Sequence, residues 1–231
     1  MKRKKLLLGV LCLASIPSTL VHAQTLKTWT GGNGDFFDPL HWADGTIPGI
    51  GDVAEINDGS TATIDGGTTT HTFGDISLGS VEGGSESGHV IMNSGTLILG
   101  STAGDPKAVI GLSAVPSSFI MNGGTILLDG PDSSPGNNNF KGINELDWEV
   151  GEKGIGHFEM HSNAVFRASD DLKIAENAAG TGSVIVDGNA RISVGSGISI
   201  SSGGTSEQSL LIGGNAVVDS GNSMGAGNAS G

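Results

Sequence analysis

Five segments of the chain can be laid over one another without a gap: VIMNSGTLI (90–98), FIMNGGTIL (119–127), FEMHSNAVF (158–166), VIVDGNARI (184–192) and LLIGGNAVV (210–218). The first column reads Val90, Phe119, Phe158, Val184, Leu210. The third reads Met92, Met121, Met160, Val186, Ile212, and the ninth Ile98, Leu127, Phe166, Ile192, Val218. All of these are apolar. The seventh column holds only Thr96, Thr125, Ala164, Ala190 and Ala216, small enough for a place where a wall turns inward. A second motif alternates with the first, reading apolar, any, apolar, small: Ile76-x-Leu78-Gly79, Ala108-x-Ile110-Gly111, Trp148-x-Val150-Gly151, Leu172-x-Ile174-Ala175, Ile198-x-Ile200-Ser201 and, broken by one polar residue, Asn222-x-Met224-Gly225.

Successive copies of the first motif start 29, 39, 26 and 26 residues apart. Each unit holds three short runs of period-2 alternation, such as GSVIVD, ARISV and GISIS, separated by glycine-rich corners. That is the strand signal. A unit of this length with three strands predicts one coil of a β-solenoid, in which each strand pairs with its equivalent one coil away and like side chains stack. The expected fold is all-β, a right-handed parallel β-helix with three strands per coil. A β-sandwich is the competing reading, but it gives no reason for one nine-residue register to recur five times. The stretch 131–147, PDSSPGNNNFKGINELD, fits no strand pattern and reads as a loop pushed from one corner.

Composition agrees. Glycine is 40 of 231 residues, about 17% against an average near 7%, which disfavours helix at about 1 kcal/mol per interior glycine. Collagen is excluded because there is no glycine triplet period. The formal net charge is -13, and four of the 11 basic residues lie in the first five positions, so the remainder carries 7 - 24 = -17. A chain this acidic repels phosphate backbones and anionic lipid surfaces, which excludes nucleic acid as an expected partner.

MKRKK followed by LLLGVLCLASIPSTL and Val21-His22-Ala23 reads as an export signal over 1–23, cleaved after Ala23. Its apolar run is too short to span a bilayer and no later segment comes close, so no transmembrane helix is expected in the mature chain. Cys12, the only cysteine, falls within the signal, so no disulfide is expected either. The expected organisation is signal 1–23, cap and first strands 24–70, and repeats 71–231.

The cap assignment rests on TWTGGNGDFFDPLHWADGTIPGIGDVAEIN (28–57), where Trp29, Phe36, Phe37 and Trp42 crowd together. A solenoid must cover the open end of its core, and aromatic side chains supply the most apolar area per residue. These residues resemble the opening of exported β-helix proteins of the repeat family associated with type V secretion and PEP-CTERM sorting. The matching positions are Trp29, Gly31, Gly34, Phe37, Asp38, Pro39, Trp42, Pro48 and Asp52. His41 stands where that pattern has Asn, and Phe36-Phe37 where it has Trp. Later units such as GTGSVIVDGNARISV resemble the same family's repeat. The resemblance implies an autotransporter passenger-like surface stalk with no shared active site.

Residues that could carry chemistry are few. Asp170-Asp171 has the composition of a glycosidase carboxylate pair, but neighbours on a strand point to opposite faces, so the two cooperate only at a corner. Lys141, Lys153, Arg167 and Lys173 are the only later basic cluster, explained equally by a solvated face. His157, Glu159 and His161 share one strand face, spaced for an exposed stripe rather than a metal shell. Asp35 in GGNGD lacks the repeated calcium nonapeptide, and the Asn228 sequon is a single match in an Asn- and Ser-rich chain. No catalytic, cofactor-binding or metal residue is expected.

The sequence stops partway through a repeat, which predicts the front part of a longer protein. The expected function is a secreted or cell-surface structural or adhesive stalk, with extracellular polysaccharide or surface matrix as the partner class. The alternative is a carbohydrate-active enzyme, a lyase or hydrolase, on the same scaffold. A sugar-binding module would need exposed aromatics, and most here fall in cap or core positions.

Overall fold

Alternating apolar residues bounded by glycine corners form strands along most of the chain in a computed structural model, which describes residues 24–79, 86–100, 107–128, 147–177, 179–200 and 207–226. The strands follow coil by coil. β1 (Thr25–Thr28) and β2 (Gly34–Asp35) precede a single 3-10 turn at Pro39–His41. β3 (Asp52–Ile56) leads to the long β4 (Thr61–Phe73), and β5 (Asp75–Leu78) to the long β6 (His89–Leu99). Next come β7 (Lys107–Ile110), β8 (Ser117–Met121) and β9 (Thr125–Leu128), then β10 (Asp147–Val150), β11 (Ile155–Met160) and β12 (Val165–Ala168). β13 (Leu172–Ile174), β14 (Thr181–Val186) and β15 (Arg191–Val194) make a further coil. β16 (Gly197–Ile200), β17 (Gln208–Ile212), β18 (Val217–Ser220) and β19 (Ser223–Ala226) complete the series.

Every strand pairing in the two sheets is parallel. Wall one is the ladder β1-β3-β5-β7-β10-β13-β16-β19. The other two walls share β4 and β6, then separate into wall two, β8-β11-β14-β17, and wall three, β9-β12-β15-β18. This is the three-walled β-solenoid expected from the repeat. Val90, Phe119, Phe158, Val184 and Leu210 pair in one file, and Met92, Met121, Met160, Val186 and Ile212 in the next. Met92, Met121 and Met160 are wholly buried, so the methionine ladder points into the core.

The gap-free overlay fails in its seventh and ninth columns, for a reason visible at the corner. Phe166 pairs with Ile126 and Val165 with Thr125, so the inward file on wall three is Leu97, Ile126, Phe166, Ile192, Val218. Ile98 and Leu127 point outward and are half-buried. Later coils carry one more residue between walls two and three, and Ala164 and Ala190 fill the buried space so created. Their turns stack an asparagine ladder, Asn215 donating to Asn189 and Asn189 to Asn163, each at 3.2 Å. The last copy of the second motif is also displaced. Met224, not Asn222, pairs with Ile198, and the Asn222 N–H donates to the Ser196 carbonyl. Read in this register, the motif has no polar break. The boundary expected at residue 70 falls inside β4, which already pairs with β6, so stacking starts earlier, with β1 on β3.

The cap explains its own sequence. Trp29 and Phe36 are fully buried and Trp42 nearly so, meeting one another edge-on at 5.2 and 5.1 Å around Trp42, while Phe36 meets Phe73 of β4 at 5.5 Å. His41 stacks on Trp29 at 4.7 Å and 7°, and its ring lies over Gly31 and Gly34, where an added Cβ would come within 2.1 and 2.0 Å of it. The spaced glycines are therefore the floor of a slot for residue 41. Phe37 lies outside the buried set, stacked on His71 at 3.5 Å. Farther along, Phe119, Phe158, Phe166 and Trp148 form a second, interior aromatic cluster, with ring centroids 5.0–6.2 Å apart.

The small fourth column of the second motif is where the chain leaves wall one. Gly79, Gly111 and Gly151 have φ of 92°, 88° and 75°, and Ala175 at the same place has φ of 55°. An L-residue in the left-handed region costs about 1–2 kcal/mol, of which a glycine relieves the greater part after its own entropy loss. Ala175→Gly is therefore expected to raise stability by up to about 1 kcal/mol. Thermal unfolding followed by far-ultraviolet circular dichroism checks this, and an unchanged or lower Tm would contradict it.

Candidate functional site

The densest group of interacting charges among the described residues lies on the outer face of wall one. Alternation along β10 sends Trp148 and Val150 into the core and Asp147 and Glu149 outward, yet Glu149 is fully buried and Asp147 only 8% exposed. Stacking brings Lys107 of β7 beside Asp147 and Lys173 of β13 beside Glu149 in strict register. The ion pairs nevertheless cross diagonally. Lys107 Nζ donates to Glu149 Oε1 at 2.8 Å, while Lys173 Nζ donates to Asp147 Oδ2 at 2.6 Å and lies 3.9 Å from Glu149. Glu176, after β13, accepts from Lys173 at 3.2 Å.

Burial pushes the Glu149 carboxyl up to about 7, against the Lys107 hydrogen bond and with the help of Glu176. Burial pulls Lys173 down, but its hydrogen bond and charge pairing with Asp147 outweigh this and hold its pKa above the ordinary lysine value. Lys107 is raised chiefly by its bond to Glu149. Asp147 Oδ1, Glu149 Oε2, Ser169 Oγ and Trp148 Nε1 are buried with no hydrogen-bond partner among the described residues.

Asp170 and Asp171 lie between β12 and β13, at the corner where wall three passes into wall one. This meets the condition set for them by the sequence. One oxygen of each, with one of Asp147, forms a group whose members all lie within 4.8 Å of one another. Asp171 Oδ1 accepts from the Gly197 N–H at 2.6 Å, so it also ties this corner to the next coil. The segment 129–146, which holds most of the expected corner loop and Lys141, lies outside the described residues.

The basic residues grouped by sequence are separated in space. Arg167 faces outward on wall three, Lys153 is exposed near Glu152 at 3.9 Å, and Lys173 is a largely buried, ion-paired lysine rather than part of a solvated face. His157, Glu159 and His161 do share one outward face, opposite the buried Phe158 and Met160. His157 Nδ1 meets Ser183 at 2.6 Å, and His161 meets Asp187 through Nδ1 at 2.8 Å and Glu159 through Nε2 at 3.2 Å. Both ring nitrogens of His161 are thus engaged within the stripe. Asp35 accepts from the Phe37 N–H at 2.9 Å in the cap, and Asn228 lies outside the described residues.

A surface cavity of about 440 Å³ lies elsewhere, on the later part of wall three, lined by Arg167, Ser193, Val194, Asp219 and Ser220 with two glycines. Arg167, Ser193 and Asp219 form one outward file. The cavity brings one guanidinium and one carboxylate together, with no aromatic platform. The buried charges of wall one were missed from sequence because each partner lies 26 or 42 residues away. The signal was present: Glu149 and Lys173 occupy the unassigned second position of the second motif, and overlaying that position predicts their meeting. No family model, curated protein or solved structure matches the chain.

Proposed function

We propose that this chain is a secreted or cell-surface β-helix stalk, structural or adhesive, of the passenger type associated with autotransporter and PEP-CTERM export. The observation that carries the reading is the disposition of the charges: the densest group, on wall one, is buried and engaged with itself rather than lining an open groove. Glu149, with a pKa suited to proton transfer, is fully buried, so a polymeric substrate cannot reach it. Continuous parallel ladders on three walls supply stiffness, and every described aromatic except Phe37 is committed to cap or core. Among the described residues no helix is long and apolar enough to cross a membrane.

Two measurements test this. Incubation with a panel of neutral and uronate polysaccharides is expected to release neither reducing ends nor unsaturated uronates. Turnover of any of them would instead establish the carbohydrate-active alternative. Expression of the full chain in an exporting host is expected to yield an extracytoplasmic product whose first residue is Gln24; retention inside the cell with Met1 intact would remove the surface role.

A further inference from the structure

We infer that Lys173 and Asp147 condense to a covalent crosslink, an isopeptide bond between the lysine Nζ and the aspartate Cγ that ties β13 to β10. The geometry gathers the reacting groups. Lys173 Nζ lies 2.6 Å from Asp147 Oδ2 and 3.9 Å from Glu149 Oε1, so an amine, a carboxyl to acylate it and a second carboxyl meet at one point. The parallel ladder between β10 and β13 fixes both backbones, with Glu149 beside Lys173 and Asp147 two residues before it. Groups oriented in this way react as though present at about 10⁵–10⁸ M. Burial supplies the second condition. The Asp147 and Lys173 side chains are 11% and 20% exposed, and Glu149 is fully buried. Asp147 Oδ1 and Glu149 Oε2 have no donor among the described residues, so neither carboxylate gains the full set of hydrogen bonds that offsets its desolvation. Condensation removes one ammonium and one carboxylate from this site and leaves a neutral amide. Lys107 and Glu149 form the other close pair on this wall, but the Lys107 side chain is 44% exposed to water, which favours the separated ions.

The reaction needs no oxidant and no co-reactant. A proton passes from the Lys173 ammonium to Asp147 Oδ2 along their hydrogen bond, and the freed Nζ lone pair attacks Asp147 Cγ to form the C–N bond. Glu149 takes a proton from the nitrogen and passes it to the Oδ2 hydroxyl, which leaves as water when its C–O bond breaks. Oδ1 remains as the amide oxygen. One ammonium and one carboxylate thus become one amide and one water, and Glu149 ends unchanged. Its carboxyl, pushed up to about 7 by burial, can both hold and release a proton at neutral pH. Burial lowers the Lys173 pKa, but pairing with Asp147 outweighs this and keeps the ammonium form, so loss of that proton, not encounter, limits the rate. The inference does not depend on the proposed stalk function.

Mass spectrometry of the purified full chain, intact under denaturing conditions and after trypsin, tests this. The parent is expected to be lighter than the sum of its residues by one water. Its digest should contain residues 142–153 joined to 168–191, with Lys173 uncleaved. Lys173→Arg keeps the positive charge beside Asp147 but has no amine to acylate, and is expected to show the full mass. Glu149→Gln is expected to slow bond formation after refolding by about a hundredfold or more. If Glu149→Gln fails to fold, the parent and Lys173→Arg decide. A parent of full mass, a loss of water without the joined peptide, a join through Lys107 instead, or a Lys173→Arg chain as light as the parent would overturn the bond. Equal rates in Glu149→Gln and the parent would overturn the part given to Glu149.

Discussion

Gly151→Ala is expected to lower stability by at least about 3 kcal/mol, read as a fall in the urea midpoint of the β signal. Two costs combine at this residue. Its φ of 75° places any L-residue in the left-handed region, at about 1–2 kcal/mol. The larger cost is contact: a Cβ there would sit 2.2 Å from the Thr181 carbonyl oxygen and 2.5 Å from its carbon. Those atoms belong to the backbone of the next coil, so no side-chain rotation can relieve the clash. The corner can give way only by separating coils, and the Gly151 N–H already holds the previous one, donating to the Ile110 carbonyl at 2.6 Å. In a quasi-one-dimensional stack the damage falls on both neighbouring interfaces. Gly225→Ala is the matched control. Nothing lies within 4 Å of a Cβ added there, and its expected effect is below about 0.5 kcal/mol. Equal midpoints for the two variants would show that the corner at 151 opens freely.

The contrast between Gly151 and Ala175 also shows what the sequence could and could not convey. The small fourth column was legible as a corner, since glycine recurs there, but Ala175 shows that small size alone does not reveal a left-handed backbone. The core files through Val90 and Met92 were legible because apolar identity survives in every copy and strand pairing has a fixed period of two. The seventh and ninth columns were misread because a turn of four or five residues closes the same angle between walls two and three. A gap-free overlay cannot register that one-residue difference, and a one-residue slip turns an outward Leu127 into an apparent partner of the inward Phe166. The Asn222 misplacement has a different origin: the last coil keeps the 26-residue spacing of the one before it, and placing the motif at Asn222 rather than Met224 is a two-residue slip that leaves the facing unchanged. On the outer faces, polar identity varies from coil to coil, so the sequence holds no conspicuous column there. Asp147, Glu149 and Lys173 become a unit only when the wall-one register is applied to the positions between the apolar ones.

Asp75→Asn is expected to stabilise the protein at pH 7 by about 2–3 kcal/mol and to leave it unchanged near pH 3. Asp75 is 6% exposed at the start of β5, and burial raises its pKa from 3.8 to about 6, against hydrogen bonds from the Gln24 side chain and the Lys107 backbone. Its Oδ1 is buried without a partner, and the nearby Lys107 ammonium is directed instead to Glu149. Between pH 3.8 and about 6 the folded protein therefore holds a proton that the unfolded chain has released. Stability falls as pH rises across that window, and the loss is complete above it. A rise of about two pKa units corresponds to roughly 3 kcal/mol. Asparagine removes the buried charge while its carbonyl oxygen can still accept from Gln24 Nε2, so the variant's curve should lack this decline. A second decline, between about 4.5 and 7, should persist in Asp75→Asn, because burial also raises Glu149 to about 7. Urea unfolding of both proteins from pH 3 to pH 8 separates the two windows. A variant less stable than its parent at pH 7 would mean that the Asp75 carboxylate is stabilised in its charged form, contrary to its burial.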